Sequence, residues 1–105
     1  MTDAIIVLCT CANEGQALNI AEMLVEERLA ACVNLTAGIR SVYRWEGKLE
    51  TADEALLIIK TTRERWDALR DRIIELHSYD TPEILALPVM SGSDKYLAWI
   101  AANVG

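Results

Sequence analysis

The chain has 105 residues, enough for one hydrophobic core but not for two, so a single domain over residues 1–105 is expected. Sixteen acidic against ten basic residues give a net charge of -6 at pH 7. A nucleic-acid partner is not expected, because such a surface repels a phosphate backbone. The apolar run at residues 5–8 is too short for a signal segment or a membrane span, which indicates a cytoplasmic protein without a membrane partner.

The first part of the chain predicts a strand followed by a helix. Residues 4–9 form a continuous apolar run of strand length that is rich in β-branched side chains. Asn13, with Gln16 three residues later, is typical of a helix N-cap. The residues that follow place their apolar side chains on one side of a helix: Ala17, Ile20, Ala21, Leu24, Val25 and Leu29.

Residues 30–60 predict one long β-hairpin. Alternation in the first arm places four side chains on one face: Ile39, Ser41, Tyr43 and Trp45. Residues 46–48 supply a turn in which Gly47 can adopt positive φ at little cost. The second arm ends in the apolar run 55–59, which suits the centre of a sheet.

The predicted hairpin is longer than the domain that carries it. Arms of some 14 residues would reach about 45 Å, whereas a compact domain of this size is about 30 Å across. We therefore expect another copy of the chain to cover Tyr43 and Trp45. The alternative is a shorter hairpin that bends at residues 36–38 and folds both rings back onto the monomer.

The remainder predicts helix, strand and helix. Residues 61–64 have the pattern of a second capping box, and apolar residues then recur at helical spacing: Trp66, Leu69, Ile73 and Leu76. Residues 83–90 predict a strand in which Pro88 indicates a sheet edge or a bulge. Residues 91–94 break the chain before a last helix with four apolar positions: Tyr96, Leu97, Ile100 and Val104.

This order of elements predicts an α+β domain of the ferredoxin-like, split βαβ type. Such a domain has an antiparallel sheet with two helices on one face. Here it would carry a long hairpin between its second and third strands and a short C-terminal helix. The fold alone does not predict a function, because the same architecture supports many chemistries.

Six short strings, in their order along the chain, closely resemble the CutA family of divalent-cation tolerance proteins. The strings are Val7-Leu8-Cys9-Thr10, Leu29-Ala30-Ala31-Cys32-Val33-Asn34, Tyr43-Arg44-Trp45-Glu46-Gly47-Lys48, Ile59-Lys60-Thr61-Thr62, Tyr79-Asp80-Thr81-Pro82-Glu83-Ile84 and Tyr96-Leu97-Ala98-Trp99. The resemblance spans nearly the whole chain. It implies a homotrimer whose long hairpins pair across subunits, copper binding, and a role in the tolerance of divalent metal ions.

The resemblance also implies two metal ligands, Cys9 and His77. In similar proteins a strand cysteine and two adjacent histidines are held to ligate copper. Here Leu76 occupies the position of the first histidine, and Ser78 that of the proline that usually follows the pair. One ligand of three is therefore missing.

The residues themselves favour a soft metal only weakly. Cys9 and Cys11 lie two apart on a strand, so both sulfurs share a face that suits Cu(I) better than a hard cation. Simple core packing is the competing interpretation for Cys11 and Cys32, and reduced thiols are expected for three cysteines. His77 ends a helix, where the dipole favours its charged form. Among the carboxylates Glu83 stands out, because it follows Pro82 at the entrance to a strand.

Three functions remain open from the sequence. The first is a metal-binding trimer of the CutA type without catalytic activity, because no motif supplies a nucleophile, a base and an oxyanion hole. The alternative is a signalling or scaffold module similar to the trimeric PII proteins, which bind small ligands between subunits. The third is an enzyme that uses a cysteine and a histidine.

Overall fold

One four-stranded antiparallel sheet organises the protein, in the strand order β2-β3-β1-β4. The computed structural model describes residues 1–105. The elements are β1 (Ala4–Cys11), α1 (Glu14–Glu26), β2 (Cys32–Trp45), β3 (Lys48–Thr62), α2 (Trp66–Leu76), β4 (Ile84–Pro88) and α3 (Asp94–Ala102). The ferredoxin-like α+β prediction is confirmed, with β1 and β3 at the centre of the sheet.

The main core lies between the sheet and the helices α1 and α2. Alternate residues of β1 and β3 are buried on this side, and the apolar stripes of both helices pack on them. Its largest fully buried side chains are Val7, Ile20, Leu24, Leu57, Ile59, Leu69 and Ile73. Full burial of such a side chain contributes on the order of 1.5–3 kcal/mol.

The start of α1 agrees with the sequence prediction, and its end lies earlier than the pattern suggested. The Gln16 N–H donates to Asn13 Oδ1 at 2.8 Å, while Gln16 Oε1 accepts from the Ala12 N–H at 3.1 Å. The predicted apolar stripe continued to Leu29, but the helix ends at Glu26 and leaves Val25 exposed. Leu29 packs on the core from the connection that follows.

The predicted capping box at residues 61–64 is wrong. Thr61 belongs to β3, and its buried Oγ1 donates to the carbonyl oxygen of Leu29 at 2.7 Å. Thr62 makes no side-chain cap, and a 3-10 turn at Arg63–Arg65 precedes α2. The sheet takes this segment because β1 pairs with β3 as far as Ala4 and Thr62. Pairing at a central strand satisfies the backbone groups that a helix start would leave open.

The hairpin of β2 and β3 has arms of 14 and 15 residues, and it makes the protomer 44 Å long against 26 and 23 Å in the other directions. Glu46 and Gly47 both have positive φ, 49° and 78°, which suits the twist of a two-residue turn. A bulge between Thr36 and Ile39, with Gly38 at φ 73°, lies where the alternative prediction placed a bend. The hairpin continues past it, so that alternative is wrong.

β4 and α3 complete the fold. β4 is an edge strand, as Pro88 predicted, but it is shorter than residues 83–90. Ser93 caps α3 by accepting from the Tyr96 N–H at 3.3 Å. Ile100 of α3 packs with Ala4 and Ala31 in a second, smaller cluster.

The face of the sheet opposite α1 and α2 remains largely open. Ala4 is covered by α3, but the side chains farther along this face are only half-buried or exposed. Six of them are large and aliphatic: Ile6, Leu8, Leu56, Ile58, Leu85 and Leu87. Thr10, Asn34, Thr36 and Lys60 share the face, because each pairs across the sheet with one of these six. None of the helices is long and apolar enough to cross a membrane.

Candidate metal centre

Three ligand-type side chains meet where β1 ends beside the end of α2. Cys9 and Cys11 leave the same face of β1, the face that the helices cover. His77 follows the last residue of α2, and its backbone N–H donates to the Ile73 carbonyl at 2.9 Å. The ligand atoms of Cys9, Cys11 and His77 all lie within 4.8 Å of one another, and all three residues are buried.

The two thiols act as a pair. The hydrogen bond between them is the largest influence on both: it raises the pKa of Cys9 and lowers the pKa of Cys11. Burial and the nearby negative charge of Glu83 raise the pKa of Cys9 further. Cys11 is therefore the thiol that loses its proton first, and its thiolate makes deprotonation of Cys9 harder.

Both ring nitrogens of His77 have hydrogen-bond partners. The Tyr79 backbone N–H donates to Nδ1 at 3.1 Å, so Nδ1 carries no proton in this arrangement. Nε2 lies 2.7 Å from the Thr10 carbonyl oxygen, which can only accept, so Nε2–H is the donor. These two hydrogen bonds, rather than the helix dipole, determine which ring nitrogen of His77 carries the proton. A metal ion at Nε2 would have to replace the bond to Thr10.

Tyr79 connects the cluster to a cleft. Its ring packs against His77, with centroids 4.8 Å apart, and its hydroxyl donates to Glu54 Oε2 at 2.6 Å. Burial, followed by the hydrogen bond to Glu54, raises the pKa of the Tyr79 phenol. Tyr79, Glu54 and Glu83 line a cleft of about 720 Å³ between the hairpin and the segment before β4.

The structure brings together some of the residues named from the sequence and places others apart. Cys9 and His77 are brought together, and Cys11 joins them although core packing was the competing interpretation for it. Cys32 is half-buried on β2 and lies outside the group, and all three cysteines are free, as expected. Tyr79 was named only as part of a family string and Glu54 was not singled out, because only the fold places them side by side.

Comparison with known proteins identifies the family. The sequence model described as "CutA1 divalent ion tolerance protein" matches residues 5–103. The chain belongs to this family. The resemblance seen in the short strings is therefore confirmed.

Relatives in several organisms match nearly the whole chain. The divalent-cation tolerance protein CutA of Thermus thermophilus is 47% identical over 100 residues, which cover 95% of this chain and 97% of the relative. The chloroplastic protein CutA of Arabidopsis thaliana is 46% identical over 92% of this chain and 53% of its own length. The crystal structure of CutA from Xylella fastidiosa matches with a TM-score of 0.97 and 40% identity, covering 99% and 100% of the two chains.

The relatives are described from different compartments. One is chloroplastic. A structure from Archaeoglobus fulgidus, described as a periplasmic divalent cation tolerance protein, is 39% identical with a TM-score of 0.94, over 97% of this chain and 99% of its own. The CutA1 fold is thus shared by proteins named for different locations.

Proposed function

We propose that this CutA1 protein is a cytoplasmic homotrimer that binds copper as part of divalent-cation tolerance and has no catalytic activity. Cys9 and His77 are the proposed ligands, and Cys11 supplies the third donor in place of the histidine that Leu76 replaces. The observation that carries the proposal is the meeting of these three ligand atoms within 4.8 Å.

The donor set fits copper and disfavours hard cations. Two cysteine sulfurs and one imidazole are soft or borderline ligands, which suit copper, and Cu(I) above all. Mg²⁺ and Ca²⁺ prefer several oxygen ligands, and the cluster offers none from a side chain. The two sulfurs already lie within 4.8 Å of each other.

Binding would release protons. Both thiols must become thiolates to bind the metal. The pKa of Cys9 is raised by its hydrogen bond with the Cys11 thiol and by burial. Competition from protons therefore makes the affinity rise with pH. Nε2 of His77 must also give up its hydrogen bond to Thr10. Because loss of the thiol protons and of the hydrogen bond to Thr10 both cost free energy, the site favours a metal ion that binds sulfur strongly.

The trimer is supported by apolar surface that the protomer leaves uncovered. The open face of the sheet presents the six aliphatic side chains named above, and Leu85 on its edge strand is 56% exposed. An exposed patch of large aliphatic side chains indicates an interaction site. β2 is an edge strand of the sheet, so its outer side is free to pair with another chain. The hairpin also extends the protomer to 44 Å, which brings this edge within reach of a neighbour.

The non-catalytic role and the location rest on the same cluster. The partners of His77 are two backbone groups, the Thr10 carbonyl and the Tyr79 N–H, so no third side chain orients the ring as the base of a catalytic triad would require. Free thiols are the usual state of cysteine in a reducing compartment, which favours the cytoplasm.

Copper(I) titration against a chromogenic chelator, in the presence of a reductant, tests this function. Cys9→Ala and Cys11→Ala should each weaken binding by at least about tenfold, since each removes one of three donors. Cys32→Ala is the matched control and should bind like the parent, because Cys32 lies outside the cluster. Parent-like affinity in Cys9→Ala would place the copper elsewhere.

A further inference from the structure

The thiols of the candidate metal centre are closed off from solvent. Cys9 and Cys11 are both 0% exposed, and His77 is only 9% exposed. None of the three lines the neighbouring cleft, although that cleft lies beside the cluster. A copper ion, or any other reagent, therefore reaches the sulfurs only when part of the structure opens.

Tyr79 and Glu54 lie between the cleft and the three ligands. Both residues line the cleft. On its other side, the Tyr79 ring packs against the ring of His77. Glu54 directly precedes Ala55 on β3, and Ala55 is the partner of Cys11 in the sheet. These two side chains thus form the partition that separates the cleft from the cluster.

Only one side chain anchors residues 78–83 through a hydrogen bond. Most of this segment, which joins α2 to β4, is exposed, whereas Tyr79 is half-buried. The Tyr79 hydroxyl donates to Glu54 Oε2 at 2.6 Å, a length typical of strong bonds from a hydroxyl to a carboxylate. The helices and central strands around the cluster are instead held by the main core. The segment is therefore the part of these surroundings that opens most readily.

We propose that the hydrogen bond between Tyr79 and Glu54 is a clasp that keeps residues 78–83 closed over the sulfurs of Cys9 and Cys11. Its breakage releases the segment and connects the cleft with the thiols. Tyr79 and Glu54 are positioning residues: neither binds the metal, and their hydrogen bond sets how often the ligands become accessible. The role of the clasp in copper exchange rests on the proposed function, whereas its control of thiol access does not.

Alkylation of the metal-free protein by iodoacetamide, in its native assembly, measures this access. After digestion with trypsin, mass spectrometry separates the peptide with Cys9 and Cys11 from the peptide with Cys32. Tyr79→Phe should speed alkylation of the first peptide about tenfold or more, since loss of a hydrogen bond to a charged group favours the open state by that factor. This change alters no charge and keeps the ring. Cys32 should react as in the parent, because it lies outside the cluster.

Three further variants show whether the hydrogen bond itself is responsible. Glu54→Ala removes the acceptor and should match Tyr79→Phe. Glu54→Gln retains an acceptor oxygen and should lie closer to the parent, which is the rescue expected of a conservative replacement. Tyr43→Phe removes a phenol hydroxyl from the same cleft without altering the clasp, and it should leave alkylation unchanged.

Two results of the alkylation experiment would overturn the proposal. One is alkylation of Cys9 and Cys11 in Tyr79→Phe at the rate of the parent. The other is an equal increase at Cys32, which would indicate general loosening of the fold instead of a local opening.

The rate of copper release is the second readout. In excess chelator, Cu(I) should leave Tyr79→Phe about tenfold faster than the parent, because the open state is more populated. The rate should not depend on chelator concentration, and the equilibrium affinity should change little because all three donors remain. A parent that binds no copper would end the proposed function, while alkylation would still decide the clasp. Faster alkylation with unchanged copper release would refute the role of the clasp in copper exchange.

Discussion

Replacement of Leu85 by aspartate should dissociate the proposed trimer. Leu85 lies on β4 opposite Leu8, on the open face of the sheet, and 56% of its surface is exposed in the protomer. Full burial of a leucine side chain contributes about 1.5–3 kcal/mol, so burying the exposed part of Leu85 in an assembly contributes about 1 kcal/mol. A carboxylate in the same place would add a desolvation penalty of several kcal/mol. Three copies in one assembly multiply the effect.

Sedimentation equilibrium across a dilution series measures this change. The parent should behave as a species of about three times 11.7 kDa at micromolar concentration, and Leu85→Asp should shift towards 11.7 kDa. Leu18→Asp is the matched control, because Leu18 is 52% exposed on the far side of the protomer, on α1. A monomeric parent would refute the trimer, and dissociation by Leu18→Asp as readily as by Leu85→Asp would refute the role of the open face.

Two further predictions concern stability. Thr61→Val should lower the free energy of unfolding by about 1–3 kcal/mol in urea, because it deprives the Leu29 carbonyl of its buried donor, while Thr61→Ser should lose less; equal stability of both variants would contradict this. The bidentate pair with Arg72 lowers the pKa of Glu27 in the folded protein, so its stabilisation is present above the ordinary value of 4.5 and is lost as pH falls through the lower folded value. The difference in melting temperature between Glu27→Gln and the parent should therefore shrink from pH 7 to pH 3, and a constant difference would refute the assignment.

Much of the fold follows from periodicity and local signals. The long hairpin, its turn at Gly47, the N-cap at Asn13 and the edge position of Pro88 were all predicted, since each depends on residues adjacent in sequence. The failure at Thr61 has a physical cause. A capping pattern competes there with pairing to a central strand, and only the fold shows that the strand continues through it.

The candidate site was predictable only in part. Cys9 and Cys11 share a face by strand geometry alone, and the resemblance to CutA pointed to His77. Tyr79 and Glu54 could not be identified, because their contact joins residues 25 positions apart and depends on how the loop after α2 meets the hairpin. A local sequence pattern does not report which distant residue Tyr79 will contact. That contact depends on the path of the backbone, which core packing determines.

X-ray absorption at the copper edge tests the proposed metal centre most directly. The sample would be protein loaded with one equivalent of Cu(I) per chain under reducing conditions. Two sulfur neighbours, from Cys9 and Cys11, are expected together with one imidazole nitrogen, and Cys11→Ala should lose one sulfur. A first shell of oxygen and nitrogen alone, or a shell that Cys9→Ala and Cys11→Ala leave unchanged, would contradict copper binding at this cluster.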